Sequence, residues 1–333
     1  MRRRSFVFGM ASAAALGADA VGALAQQRER PRRVAALLNL TSSDPEAQAR
    51  LAAFLQGMQE EGWRVGGNLR VDIRWGDGDA ETIRKGAAQV VALEPDVILA
   101  STNQVMTPLL RITRTIPIVF AAVTDPVAAG HVASLPRPGR NATGFTSAEY
   151  GLSVKWLELL KEIAPQVRRV AVVYSSSNPG GVPQFAAIQS MAPSLGVETV
   201  PIDLVNAESL ERDVAAFARG DNPKAGLIVT RTSEVIVHRE TIIRLVAEHK
   251  LPAVYPLRLF VNDGGLISYG PDIVDQHRRA ASYVSRILKG EKVSELPVQT
   301  PIKYETIVNA KTAKTIGISL SASVLARADE VIE

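Results

Sequence analysis

The chain contains no cysteine, which excludes disulfides, thiolate nucleophiles and cysteine-held metals together. Histidine is scarce, and His131, His238, His249 and His277 stand alone, so no metal-ligand spacing exists and no metal is expected. His249 precedes Lys250-Leu251-Pro252 and reads as a basic residue near a helix C-terminus. His277 falls on the apolar side of a helical pattern and reads as a core residue. GxSxG, HExxH and P-loop patterns are all missing. A GxGxxG fingerprint is missing too: the first apolar run ends in Asn39-Leu40-Thr41-Ser42-Ser43, without the glycines a pyrophosphate needs for close approach. No cofactor and no catalytic constellation are therefore expected. Charge of one sign is also lacking. The formal net charge of +4 falls to +2, 35 basic against 33 acidic residues, once Arg2, Arg3, Arg4 and Asp19 are set aside. That is too little to argue for nucleic acid.

What is present is ordinary globular composition, 46% apolar and 22% charged over 333 residues, enough for two lobes. Residues 1–25 have a basic start, an Ala/Leu/Val-rich run and Ala23-Leu24-Ala25 as a small-x-small cleavage site, the pattern of an export signal. Arg3-Arg4-Ser5-Phe6 also fits a twin-arginine signal. Beyond it no run is long and apolar enough to span a membrane. The expectation is an exported, periplasmic protein with a polar linker over residues 26–33.

The stretch from Asp96 to Asp125 organises the rest. It reads as an apolar strand (97–100), a polar loop (Ser101-Thr102-Asn103), a helix, and a second apolar strand (116–122) ending in Thr124-Asp125-Pro126. Apolar runs of this length joined by a helix mark parallel strands with a crossover. Upstream come a strand over 34–38, a helix capped by Ser43 or Asp44 with Pro45 at its first position, and a strand over 71–75. Asp79 after Gly76-Asp77-Gly78 reads as a helix cap, in preference to a calcium loop. After Thr143-Gly144-Phe145-Thr146 the pattern begins again, with strands over 170–174, 198–202, 226–229, 252–255 and 266–269. Helices are expected through 163, 195 and 217, over 235–249 and over 273–288, and two short ones in the tail after Asn309. The two halves share one βαβα plan, so the fold class is α/β with two doubly wound Rossmann-like lobes.

In such sheets ligands bind beyond the carboxyl ends of the strands, and here those ends carry neutral hydrogen-bonding loops beside helix N-termini, suited to an anionic group. Asp125 either receives an ammonium group or caps the turn at Pro126. Arg231 either pairs with a ligand carboxylate or lies on the surface. Phe145, Tyr174, Tyr255 and Tyr269 are either apolar walls of a pocket or plain core.

Several segments resemble the substrate-binding proteins of ABC transporters of the type I periplasmic-binding-protein fold, in the branch labelled tryptophan/tyrosine transport. The resemblance spans the mature chain and rests on residues 116–127 (IPIVFAAVTDPV), 138–144 (PGRNATG), 251–255 (LPAVY), 264–270 (GGLISYG), 287–292 (ILKGEK), 311–314 and 326–332. It implies two lobes joined by three crossover strands, with crossings near 144–146, 261–265 and 299–303. The implied lobes are residues 34–144 plus 264–300 and residues 145–263 plus 301–333. It implies a monomer that closes on a small molecule, an amino acid or related carboxylate, and delivers it to an ABC permease. The loops it points to hold Asn39, Thr41, Ser42, Ser43, Ser101, Thr102, Asn103, Thr124, Asp125, Tyr174, Ser175, Ser176, Asn178, Thr230 and Arg231, with Phe145, Thr146, Tyr255 and Tyr269 as further contacts. The loop over 175–181 lacks the acidic residue that some relatives carry, so no ammonium contact is implied there. The alternatives are a ligand sensor presenting its ligand to a separate receptor, or an enzyme on the same scaffold.

Overall fold

The computed structural model describes residues 30–148, 150–219 and 224–333; the leader and most of the linker read from the sequence lie outside these. Residues 32–333 form one unit built on two sheets. The first is parallel throughout, with strand order β2-β1-β3-β4-β5 for β1 (Arg32–Leu38), β2 (Leu69–Trp75), β3 (Val97–Ser101), β4 (Ile118–Thr124) and β5 (Ala142–Ala148). Helices α1 (Pro45–Glu60), α2 (Ala80–Ala92) and α3 (Thr102–Ile112) connect its strands. Asp44, not Ser43, caps α1, accepting from the N–H groups of Glu46 and Ala47, and Asp79 caps α2 through Thr82. β3 is buried at every position, the consequence of helices on both faces.

The second sheet has seven strands in the order β12-β11-β10-β9-β8-β6-β7. They are β6 (Arg169–Tyr174), β7 (Glu198–Asp203), β8 (Ala225–Val229), β9 (Ala253–Tyr255), β10 (Ile267–Pro271), β11 (Tyr304–Asn309) and β12 (Glu330–Ile332). Only the β10–β11 pair is antiparallel. Its helices are α4 (Ser153–Ile163), α5 (Gly181–Met191), α6 (Ala207–Ala218), α7 (Ser233–Val237), α8 (Arg239–Glu248) and α9 (Arg258–Asn262); α10 (Ile273–Leu288), α11 (Ala310–Ile316) and α12 (Ala322–Arg327) follow. The helix expected over 235–249 is two helices, because His238 leaves helical geometry at φ −92°, ψ 16° and ends α7. Helix α9 and strands β11 and β12 had no sequence expectation. β12 has only three residues, and the apolar run of β11 is only Ile307-Val308, too brief to stand out.

Sheet membership also redraws the lobe boundaries. Residues 264–271, read from the sequence as part of the first lobe, contain β10, which pairs with β9 and β11 in the second sheet. Phe145 to Ala148, read as the start of the second lobe, extend β5 in the first sheet. The chain thus passes between sheets after Ala148, at Asp272, and between Gln299, which bridges to Phe145, and Tyr304. Strand alternation does not mark these points, because a crossing strand keeps its apolar pattern on both sides.

Helix α10 returns to the first sheet and packs on α1. Gly57 makes that approach possible: a Cβ there would lie 2.5 Å from the carbonyl oxygen of Arg278. Leu51, Phe54 and Met58 of α1 meet Ala280, Ala281 and Val284 of α10 in one core cluster. Another cluster, centred on the second sheet, also takes in Leu40 and Ala47 from the first-sheet side, with Trp75 and Ala122 against it. The two lobes therefore touch through apolar side chains as well as polar ones.

Candidate ligand-binding site

Between the carboxyl ends of the two sheets lies a small, narrow cavity. From the first lobe it is lined by Arg50 of α1, Thr102 and Asn103 at the start of α3, and Ala122 and Thr124 of β4. The second lobe contributes Asn178 and Gly180, then Arg231, Thr232, Ser233, Ile236 and Leu257. Ile273 of α10 completes the wall. At the wall Thr102 (φ 69°) and Ala122 (φ 58°) have left-handed backbones, as does Asp125 (φ 41°) just past the end of β4. For a β-branched threonine that is a strained conformation, and such strain gathers at binding sites.

Most of the polar groups are held by one another. Asn103 donates to the Thr124 carbonyl (2.7 Å) and accepts from its N–H (2.8 Å). Asn178 accepts from the Gly180 N–H and donates to Glu234 (3.2 Å). Ser233 accepts from Asn39 (3.1 Å), whose amide oxygen in turn takes the Ser101 hydroxyl (2.9 Å). Arg231 is different. Its Nη2 donates to the hydroxyls of Thr124 (2.8 Å) and Ser147 (2.5 Å), and its buried Nη1 has no partner. Burial lowers the Arg231 guanidinium to about 10, with Tyr304 opposing and the charge of Arg50 adding to the fall; it stays protonated at neutral pH. Arg50 is 3% exposed, with its Nε on Glu46 (2.9 Å). The Thr102 hydroxyl is buried and unpartnered.

Hydrogen bonds cross the seam on both sides of the cavity. Besides Asn39–Ser233 and the two from Arg231, Gln104 donates to Glu234 (3.0 Å) and Arg239 to Asp44 (2.7 Å). The Arg239–Asp44 pair is 11% and 7% exposed, so it is sealed from water by closure of the lobes. Glu234, between Gln104 and Asn178, has its carboxyl raised by burial, with hydrogen bonding pulling the other way.

Of the residues singled out in the sequence, the structure brings Thr102, Asn103, Thr124, Asn178 and Arg231 to the cavity wall. Asn39 and Ser101 stand behind it, and the Thr146 hydroxyl donates to the Val123 carbonyl, steadying β4. The others lie elsewhere. Thr41, Ser42 and Ser43 are at the exposed entry to α1. Asp125 takes the turn role, accepting from the Ala128 N–H. Tyr174 stacks on Phe185, Tyr255 on Phe260 and Tyr269 on Tyr304. Phe145 packs on Tyr283 under Arg279. Ser175 bonds Ser177, Ser176 bonds Asp203, and Thr230 bonds the Val173 carbonyl. Aromatics at strand ends were drawn into neighbouring rings because burial of a large ring against another outweighs exposure to a cavity. Ala122, Gly180 and Ser233 beside the strand ends were missed, as were Arg50, Ile236, Leu257 and Ile273, which lie on helices or past a short strand, where no strand-end loop points to them.

The profile of the family described as ABC transporter substrate binding protein matches residues 37–332. A protein named tyrosine-binding protein from Clostridioides difficile (strain R20291) is 27% identical over 264 residues, 79% of this chain and 75% of that one. A solved structure described as an ABC domain in complex with L-Trp, from Streptococcus pneumonia, superposes with a TM-score of 0.83 at 23% identity, covering 90% of this chain and 99% of the other. The ligand-free, open structure of a substrate binding protein with adhesive properties from Clostridium difficile scores 0.66 at 25% identity, covering 90% and 99%.

Proposed function

This chain belongs to the family of ABC transporter substrate binding proteins, and from that premise we propose that it captures an amino acid or related carboxylate between its lobes and hands it to an ABC importer. The observation that carries this is the cavity at the seam, walled by side chains from both lobes and flanked by hydrogen bonds that exist only when the lobes meet. A ligand that touches both walls favours the closed arrangement by its differential affinity for it, and the closed form is what a permease can distinguish from the empty one. The three segments passing between the sheets act as the hinge. The relatives named for tyrosine and L-Trp support a ligand with a carboxylate. The protein does no chemistry on it, a reading supported by the family's description as substrate binding proteins.

The basic, Ala-rich leader supports export through the membrane, by the general or the twin-arginine route, to a periplasmic site. No described helix is long and apolar enough to cross a membrane. The protein acts as a monomer and does not bind nucleic acid, in keeping with its near-neutral mature charge. Small-angle X-ray scattering with and without ligand tests the reading. Addition of a compound found by thermal shift is expected to reduce the radius of gyration and leave the compound intact. Turnover of the compound, or binding with no change in shape, would sink it.

A further inference from the structure

Resting on that reading, we propose that the cavity selects a small aliphatic carboxylate without an α-ammonium group, held between Arg231 of the second lobe and Arg50 of the first. Among the described residues Arg231 has no acidic partner: its Nη2 meets only the hydroxyls of Thr124 and Ser147, and its Nη1 meets nothing. A buried cation without a counterion is strongly unfavourable, and a guanidinium fork is shaped to take a carboxylate through paired donors. Arg50 reaches the same cavity with only its Nε hydrogen-bonded, to Glu46. The unpartnered Thr102 hydroxyl adds a third donor from the first lobe. Closing the lobes brings two guanidinium groups to one small space, and an anion between them turns that repulsion into a bridge.

An ammonium group finds no such welcome. Among the described residues near the site, Glu46 is paired with Arg50 and Asp44 with Arg239, Glu234 is held by Gln104 and Asn178, and Asp125 faces its own turn at the Ala128 N–H. Two carbonyls beside the guanidinium are taken too, that of Thr124 by Asn103 and that of Arg231 by Gln184. The apolar part of the wall is aliphatic, Ala122, Ile236, Leu257 and Ile273, beside the polar Asn103, Asn178, Thr232 and Ser233, with no aromatic ring among the lining residues. An apolar wall argues for an organic anion over an inorganic one, and aliphatic side chains with no stacking face argue for an aliphatic body.

The test is calorimetric titration of the whole chain with matched pairs, each a 2-oxo acid and the amino acid of the same side chain, beginning with 4-methyl-2-oxopentanoate and L-leucine. Sugars and neutral amides serve as a further arm. The expected result is an oxo acid binding at least about tenfold more tightly than its amino acid, the scale of one hydrogen bond to a charged group. Arg231→Met is expected to weaken that binding by at least about tenfold while melting no lower than the parent, since Thr124 and Ser147 already lie 3.3 Å apart and can bond each other. Should Arg231→Met melt lower, Arg50→Met on the opposite lobe gives the same reading. An amino acid that binds as tightly as its oxo acid, an undiminished affinity in both variants, or binding confined to the neutral arm overturns this inference and leaves the binding-protein reading in place. Silence of every arm overturns both.

Discussion

At the scale of single residues, the buried histidines make a prediction separate from the ligand. Burial, reinforced by the charge of Arg50, lowers His277 to about 3, and burial lowers His131 to about 4. The unfolded chain holds protons on both below about 6.5, where the folded chain does not. Their neutral forms therefore contribute stability that is fully present above that pH and is lost as pH falls through 6.5 towards 4. Urea midpoints at pH 7 and pH 5 should show a marked drop, and His277→Gln should flatten it. An unchanged slope in that variant would place the acid sensitivity elsewhere. Glu234 works in the opposite direction. Its carboxyl is raised by burial at the seam, so its contribution is present below the ordinary carboxyl range and fades as pH rises through the raised value. Ligand affinity should therefore strengthen modestly on mild acidification and lose that dependence in Glu234→Gln, which titration at several pH values would detect.

Among elements, the α1–α10 pair carries the first lobe although the two helices are more than 200 residues apart. Their close approach depends on Gly57, whose place no side chain can share with the Arg278 carbonyl without a shift. Gly57→Val is expected to lower stability by about 1–3 kcal/mol through overpacking, and Phe54→Ala, at a fully buried site, by about 3–5 kcal/mol through the cavity it leaves. Thermal melts of the two variants would check both. A cost near zero at Gly57 would mean that α10 is free to move away, and with it Ile273 at the cavity wall. Gly181 plays a like part in the second lobe. A Cβ there would meet the Ser175 carbonyl oxygen at 1.9 Å, so the start of α5 can lie against the loop that presents Asn178.

For the whole molecule, the question is what holds the lobes together. The Arg239–Asp44 pair crosses the seam, and Arg239 also reaches Asp263 on its own side. Removing one member of a well-buried pair costs about 3–5 kcal/mol, yet here both partners are hydrated once the lobes part, so the loss falls on closure more than on folding. Arg239→Ala is expected to enlarge the radius of gyration in scattering with ligand present and to weaken ligand binding, with the melting point of the ligand-free chain shifting less. Equal losses in folding and in binding would mark the pair as ordinary core. The sequence by itself determined the α/β class, the two lobes, nearly every parallel strand and the cap at Asp79, and narrowed the cap of α1 to Ser43 or Asp44, because those depend on local periodicity and on side chains a few residues away. It also determined that Thr102, Asn103, Thr124, Asn178 and Arg231 stand at strand ends. Only the tertiary structure decided that Asp125 turns to its own loop, that the aromatic residues stack on neighbouring rings, that β10 belongs to the second sheet, and that Arg50 and Arg231 line one cavity. Some of these pairings are local, Asp125 with the Ala128 N–H and Tyr255 with Phe260, and others distant, Phe145 with Tyr283; in each the outcome depends on which of several competing partners the packed chain supplies, and a one-dimensional pattern does not rank them.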